Sequence, residues 1–233
     1  MLINSIKGCF YMKKWIALLL SLFSIVALSG CGPAEKSTTS STTAPTEPVL
    51  KPAAKPVIYL YPEKEQPVSV HLLYDGELTC TYPEYGTGWN VIAKPGGTLL
   101  DANGTSYNYL YWEGLSSNSF DFSEGFCVPG KDTAAFLEDV LQKQGLSRKE
   151  ANEFIVYWLP LMQENPYNLI SFQTEAYTQH AKLEITPQPD TLIRVFMAWK
   201  PMQEKVEIPE QTFEAPNRTG FTVVEWGGSK TLS

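Results

Sequence analysis

From Lys55 onward the chain alternates apolar and polar residues in short runs broken by glycine, proline and asparagine. A period of two puts successive side chains on opposite faces of a strand. K-P-V-I-Y-L-Y-P (55–62), V-S-V-H-L-L-Y (68–74), the run 77–82 and W-N-V-I-A (89–93) all read this way. Asp75-Gly76 predicts a two-residue hairpin between its flanking strands, and Asn103-Gly104 predicts another. Pro95-Gly96-Gly97 predicts a turn before a run from Thr98 to Asp101. S-Y-N-Y-L-Y-W (106–112) predicts one aromatic strand. Its Leu110 and Trp112 face a core, and Tyr107, Tyr109 and Tyr111 share the opposite face. Together these strands read as an antiparallel meander.

The period then changes. Phe136, Leu137, Val140 and Leu141 form a helical stripe, with Asp132 placed to cap it and Gly145 to stop it. Ser147-Arg148-Lys149-Glu150 has the form of a capping box. Ala151, Phe154, Ile155, Trp158 and Met162 continue as the buried face of a second helix, which Pro160 should kink and Asn165-Pro166 should end. Strands return at 167–174, 181–186 and 191–200, with shorter ones at 206–208 and 221–226. T-L-I-R-V-F-M-A-W-K (191–200) is apolar on both faces except at Arg194. Strands, two helices and strands again predict an α+β fold: an antiparallel β-sheet or sandwich-like core with a two-helix insertion.

The first part of the 233-residue chain follows neither pattern. Lys13 and Lys14 precede an apolar run from Trp15 to Leu28, which ends in Leu28-Ser29-Gly30-Cys31. The run is shorter than the ~20 apolar residues that span a bilayer and has the regions of a secretory signal. The residues before Cys31 resemble the lipobox of bacterial lipoproteins. The resemblance implies cleavage after residue 30 and lipid on Cys31, and so an extracytoplasmic protein held at the membrane. The signal is complete from Met12, which makes Met12 an alternative start. Residues 31–54 are rich in serine, threonine, proline and alanine, a composition that cannot bury enough apolar surface to order itself, and read as a tether. Residues 55–233 then form one domain.

Charge narrows the partners. The net charge is −7, and removing residues 1–30 takes away three lysines and no acid, leaving 15 basic against 25 acidic residues. That excludes a nucleic-acid partner and electrostatic adhesion to anionic lipid. The expected partners are the membrane, through the anchor, and a glycan or peptide ligand. Export also permits a Cys80–Cys127 disulfide, with two free buried thiols as the alternative.

K-P-V-I-Y-L-Y-P, Y-L-Y-W-E-G, E-F-I-V-Y-W-L-P and P-D-T-L-I-R-V-F-M-A-W-K occur in that order between Lys55 and Pro201. As a set they resemble a family of uncharacterised bacterial secreted proteins and lipoproteins. That family has no established activity, so the resemblance implies no catalytic residue. The tail after residue 201 lies outside it.

The residues themselves offer little chemistry. A thiol hydrolase would need Cys80 or Cys127 beside His71 or His180, and no local signature marks either cysteine. No zinc motif, serine elbow or phosphate loop occurs, and no metal or cofactor is expected. Asp101 begins a run with oxygen ligands at alternate positions, but its glycine and twelfth residue are wrong for calcium. Glu113 could serve one half of a glycosidase carboxylate pair. Arg194, among apolar neighbours, needs a partner, and Glu113 is the candidate. Two arrangements are open: an ion pair fixing strand register, or the charged floor of a pocket lined by Tyr109 and Tyr111. The tyrosines themselves could be packed under the helices or form a platform for sugar rings or a peptide. The leading reading is a binding or scaffold module, and the alternative is a hydrolase of cell-wall sugar or peptide.

Overall fold

The computed structural model of the chain describes residues 51–231. The predicted signal, Cys31 and most of the tether lie outside the described residues. The strands are β1 (Lys51–Tyr61), β2 (Gln66–Tyr74), β3 (Glu77–Tyr82), β4 (Trp89–Ala93), β5 (Leu99–Leu100), β6 (Ser106–Tyr107), β7 (Leu110–Ser116) and β8 (Phe126–Pro129). Two helices follow, α1 (Thr133–Lys143) and α2 (Arg148–Met162), then β9 (Tyr167–Phe172), α3 (Thr174–His180), β10 (Ala181–Thr186), β11 (Thr191–Met202) and β12 (Thr222–Lys230).

Seven strands form one sheet in the order β3-β7-β1-β12-β11-β9-β8, and five form another in the order β10-β2-β4-β5-β6. The pairings are antiparallel except β11 with β12, which run parallel. The larger sheet is covered on both faces. Val57, Tyr59, Ile193, Val195, Met197, Trp199, Val224 and Trp226 point from one face into a core completed by Leu137, Val140, Phe154 and Trp158 of the helices. Ile58, Leu60, Leu110, Trp112, Phe196 and Val223 point from the other face onto Val68, Val70, Trp89, Val91 and Leu99 of the smaller sheet. The α+β class therefore holds, in three layers: helices, seven strands, five strands. A strand buried on both sides must be apolar throughout, which accounts for T-L-I-R-V-F-M-A-W-K.

The helices form where period and caps agree. Glu150 N–H donates to Ser147 Oγ (3.4 Å) and Ser147 N–H to Glu150 Oε2 (2.7 Å), closing the capping box. Gly145, at φ 89°, turns the chain out of α1, and the amides of Gly145 and Leu146 reach back to the carbonyls of Gln142 and Leu141. This is the Schellman arrangement that favours glycine. Asp132 occupies the N-cap position of α1 without a side-chain bond to the helix. Pro160 is accommodated inside α2, which runs on to Met162.

Several expectations fail on sheet membership. Asp75-Gly76 is not a hairpin: β2 pairs with β4 and β10, β3 pairs with β7, and the turn is a corner between sheets. The aromatic strand 106–112 is two strands, with β6 in the smaller sheet and β7 in the larger. Residues 51–54, assigned to the tether, belong to β1, where Pro52 and Ala53 pair with Leu115 and Gly114. Helix α3 takes the place of a turn around His180, and β8 carries no strand expectation. Residues 206–208 form no strand, whereas β12 is the middle strand of the larger sheet. The turns at Pro95-Gly96-Gly97 and Asn103-Gly104 do join paired strands, β4 to β5 and β5 to β6. At the second turn Asp101 Oδ1 accepts the amides of Asn103 and Thr105 (both 2.8 Å), so its carboxylate is engaged as a turn residue. Among the described residues no helix is long and apolar enough to cross a membrane.

Candidate functional site

On the helix-covered face of the larger sheet, antiparallel β1 and β7 present two tyrosine pairs. Alternation directs Tyr59 and Tyr61 of β1 the same way as Tyr109, before β7, and Tyr111. Opposite them α2 presents Glu150, Glu153 and Tyr157, at the i, i+3, i+7 spacing of one helix face. The two sets meet in a seam. Tyr59 OH donates to Glu153 Oε2 (2.7 Å). The Tyr59 ring stacks on Tyr61 (centroids 6.0 Å apart) and meets Tyr109 edge to face at 5.4 Å. At one end Lys55 N–H donates to Glu113 Oε1 (3.2 Å), and the Lys55 ammonium lies 5.7, 5.6 and 5.5 Å from the ring centres of Tyr109, Tyr111 and Tyr157. At the other end Arg218, from the segment before β12, pairs with both oxygens of Glu150 and donates from Nη2 to Gly145 O (2.7 Å).

Electrostatics fix the protonation of this seam. Burial, then Glu153, pushes up the phenols of Tyr59 and Tyr109. Burial, then Glu113, does the same to Tyr111 and Tyr157, and burial with Glu150 to Tyr61. The rings therefore stay neutral, and the Tyr59, Tyr61 and Tyr111 hydroxyls donate to Glu153, Glu150 and Glu113. Burial opposes ionisation of Glu150, yet Arg218 and the Ser147 amide outweigh it and hold the carboxyl below its ordinary range. A general acid needs the opposite shift. The seam offers aromatic faces, carboxylate acceptors and an ammonium. These suit a polar ligand with apolar faces.

Of the sequence-predicted site residues, Tyr109, Tyr111 and Glu113 come together here. Tyr107 does not: it sits in the smaller sheet, donates to Asp101 Oδ2 (3.1 Å) and packs edge to face with Tyr82. Arg194 is also elsewhere, and its partner is not Glu113. β1 and β12 separate β7 from β11, about 14 Å at ordinary strand spacing. Arg194 also faces the smaller sheet, away from Tyr109 and Tyr111. Its partner is Glu225, directly opposite on parallel β12, with Nε and Nη2 both 2.6 Å from Oε2. Glu225 Oε1 accepts from Tyr177 OH (3.0 Å) and Trp112 Nε1 (3.2 Å), and the guanidinium lies over the Tyr177 ring. The register-fixing ion pair exists with a different acid, and the tyrosine-lined pocket over Arg194 does not.

The cysteines are free. β3 with Cys80 and β8 with Cys127 are the two edges of the seven-stranded sheet, about 29 Å apart at ordinary strand spacing, which rules out a disulfide. Cys127 Sγ accepts from Val206 N–H, and His180 pairs with Asp75 instead of a thiol.

Sequence reasoning missed Lys55, Tyr59, Tyr61, Glu150, Glu153, Tyr157 and Arg218. Two signals point to most of them: the matching Y-x-Y patterns in neighbouring strands, and the helix spacing of two acids and a tyrosine beside the α2 core stripe.

No protein-family model matches the chain, and no solved structure matches it. A curated protein of Butyrivibrio fibrisolvens, described as an uncharacterized protein in the bglA 3′ region, is 44% identical over 63 residues. The match spans 26% of this chain and 65% of that relative, so this chain is similar to it over part of each length.

Proposed function

We propose that the protein is a lipid-anchored component of a bacterial envelope whose folded domain is a binding module, with the tyrosine seam as its ligand face for an envelope glycan or peptide. The anchor rests on the basic, apolar and small-residue segments that precede Cys31 in order. Two or more acyl chains hold a protein stably where one does not. The observation that carries the binding reading is the convergence of the Tyr109, Tyr111 and Tyr157 rings, each half-buried, beside Glu113. Half-exposed tyrosines give large contact area at small entropic cost. The neutral phenols keep their hydroxyl protons and so can donate hydrogen bonds to a polar ligand.

Calorimetric titration of the full-length chain with soluble wall glycans and wall peptides tests the binding. Tyr111→Ala is expected to weaken the ligand that binds by at least tenfold, the equivalent of about 1.4 kcal/mol. Unchanged affinity in that variant, or binding of nothing in the panel, rejects the seam as a ligand face. The anchor has its own check. A clickable fatty acid fed to producing cells should label the protein and leave Cys31→Ala unlabelled; label persisting in the variant removes the anchor.

A further inference from the structure

Lys55 is the one non-glycine residue at positive φ (58°) among the described residues. The register shows why. On passing from Ala53 to Val57, β1 moves four residues while β7 moves three, from Gly114 to Tyr111. Against β12 the same offset appears between Ala54 and Val57. One extra residue in β1 makes a bulge, and bulges re-aim side chains. A left-handed lysine persists only where its surroundings hold it, and such outliers gather at binding sites. Here the Glu113 carboxylate holds the Lys55 amide, and the side chain runs to an ammonium within 5.7 Å of three ring centres. Those distances are those of a cation–π cage. Among the described residues the ammonium makes no ion pair, and three rings surround it.

We propose that this three-ring cage recognises an alkylammonium group on a peptide ligand, and that Lys55 is an internal occupant which the ligand displaces. This rests on the reading of the seam as a ligand face and names the chemistry it selects. The occupant describes the ligand: an aliphatic stem ending in an ammonium, as on lysine or another diamino acid of a wall peptide. The site favours a cation because the neutral phenol rings offer their negative faces and Glu113 and Glu153 stand at the rim. A neutral ligand leaves Lys55 in place and cannot enter the cage.

The test uses the full-length chain and its Lys55→Gly variant. Glycine accepts the left-handed backbone and empties the cage; Lys55→Gln, which keeps a side chain without the charge, serves as the second variant. The probes are N-acetyl-Gly-Lys-Gly-amide, the same peptide acetylated on its side-chain nitrogen, and glucosamine. Lys55→Gly should bind the lysine peptide at least tenfold more tightly than the wild type. Acetylation of the peptide amine, or Tyr111→Ala in the Lys55→Gly background, should remove at least tenfold of that affinity. Equal affinity for the free and acetylated peptides, or no gain in either Lys55 variant, overturns the cage while leaving Tyr111-dependent binding of neutral ligands intact as a separate result. Glucosamine bound in preference to the lysine peptide overturns the peptide source.

Discussion

Glu225→Ala is expected to destabilise the domain by about 3–5 kcal/mol, read from the midpoint of urea unfolding. The Arg194 side chain is 7% exposed and that of Glu225 1%. Burial works against the guanidinium charge, but Glu225 beside it raises the Arg194 pKa, so it stays charged. Burial and Glu225 likewise keep the Tyr177 phenol neutral and donating. Removing the carboxylate strands a buried cation and orphans the donors of Tyr177 and Trp112 at once. An unpaired buried charge costs more than the pair contributes. Replacing both partners, as Arg194→Met with Glu225→Leu, should therefore be milder than Glu225→Ala alone. A loss below about 1 kcal/mol for Glu225→Ala would show that water already reaches the pair.

The neighbouring residue tests the opposite face. Trp226 is wholly buried under the helices, opposite Val57 on β1 and Val195 on β11, and meets Phe154 edge to face at 5.2 Å. Trp226→Ala should cost about 3–5 kcal/mol, because α2 and two packed strands cannot close over an indole-sized void. Trp226→Phe should retain a good part of that stability. Either loss is a large share of the 5–15 kcal/mol typical of a domain, so Trp226→Ala should also lower yield. A thermal midpoint for Trp226→Ala within a few degrees of the wild type would mean that the helices can repack onto the sheet.

What could be read in advance follows from what each signal encodes. The capping box and the stop at Gly145 are local chemistry, complete within a few residues, and they place α2 and the end of α1. The turns at Asn103-Gly104 and Pro95-Gly96-Gly97 are local too, since Gly97 and Gly104 lie at positive φ. Alternation correctly sends Leu110 and Trp112 inward, but it says nothing of which sheet a strand joins. Asp75-Gly76 therefore looks like a hairpin although its strands part company. Arg194 shows the same limit in electrostatics. That it needs a partner follows from its apolar neighbours; that the partner is Glu225 depends on parallel pairing with a strand 31 residues later. The tyrosine seam is half legible for the same reason: Tyr109, Tyr111 and Glu113 lie together in sequence, while Lys55, Tyr59 and Tyr157 are brought in by the fold.

Residues 57–61 of β1 pair with residues 222–226 of β12 at the centre of the larger sheet. Nearly the whole folded segment lies between these two partners, so the innermost ladder cannot assemble until the chain has been synthesised as far as β12. Until then β1 has only β7 to lean on, and its other edge stays open. Loop closure on that scale slows folding. The consequence is a domain whose central ladder stays open during synthesis and locks only once β12 has arrived.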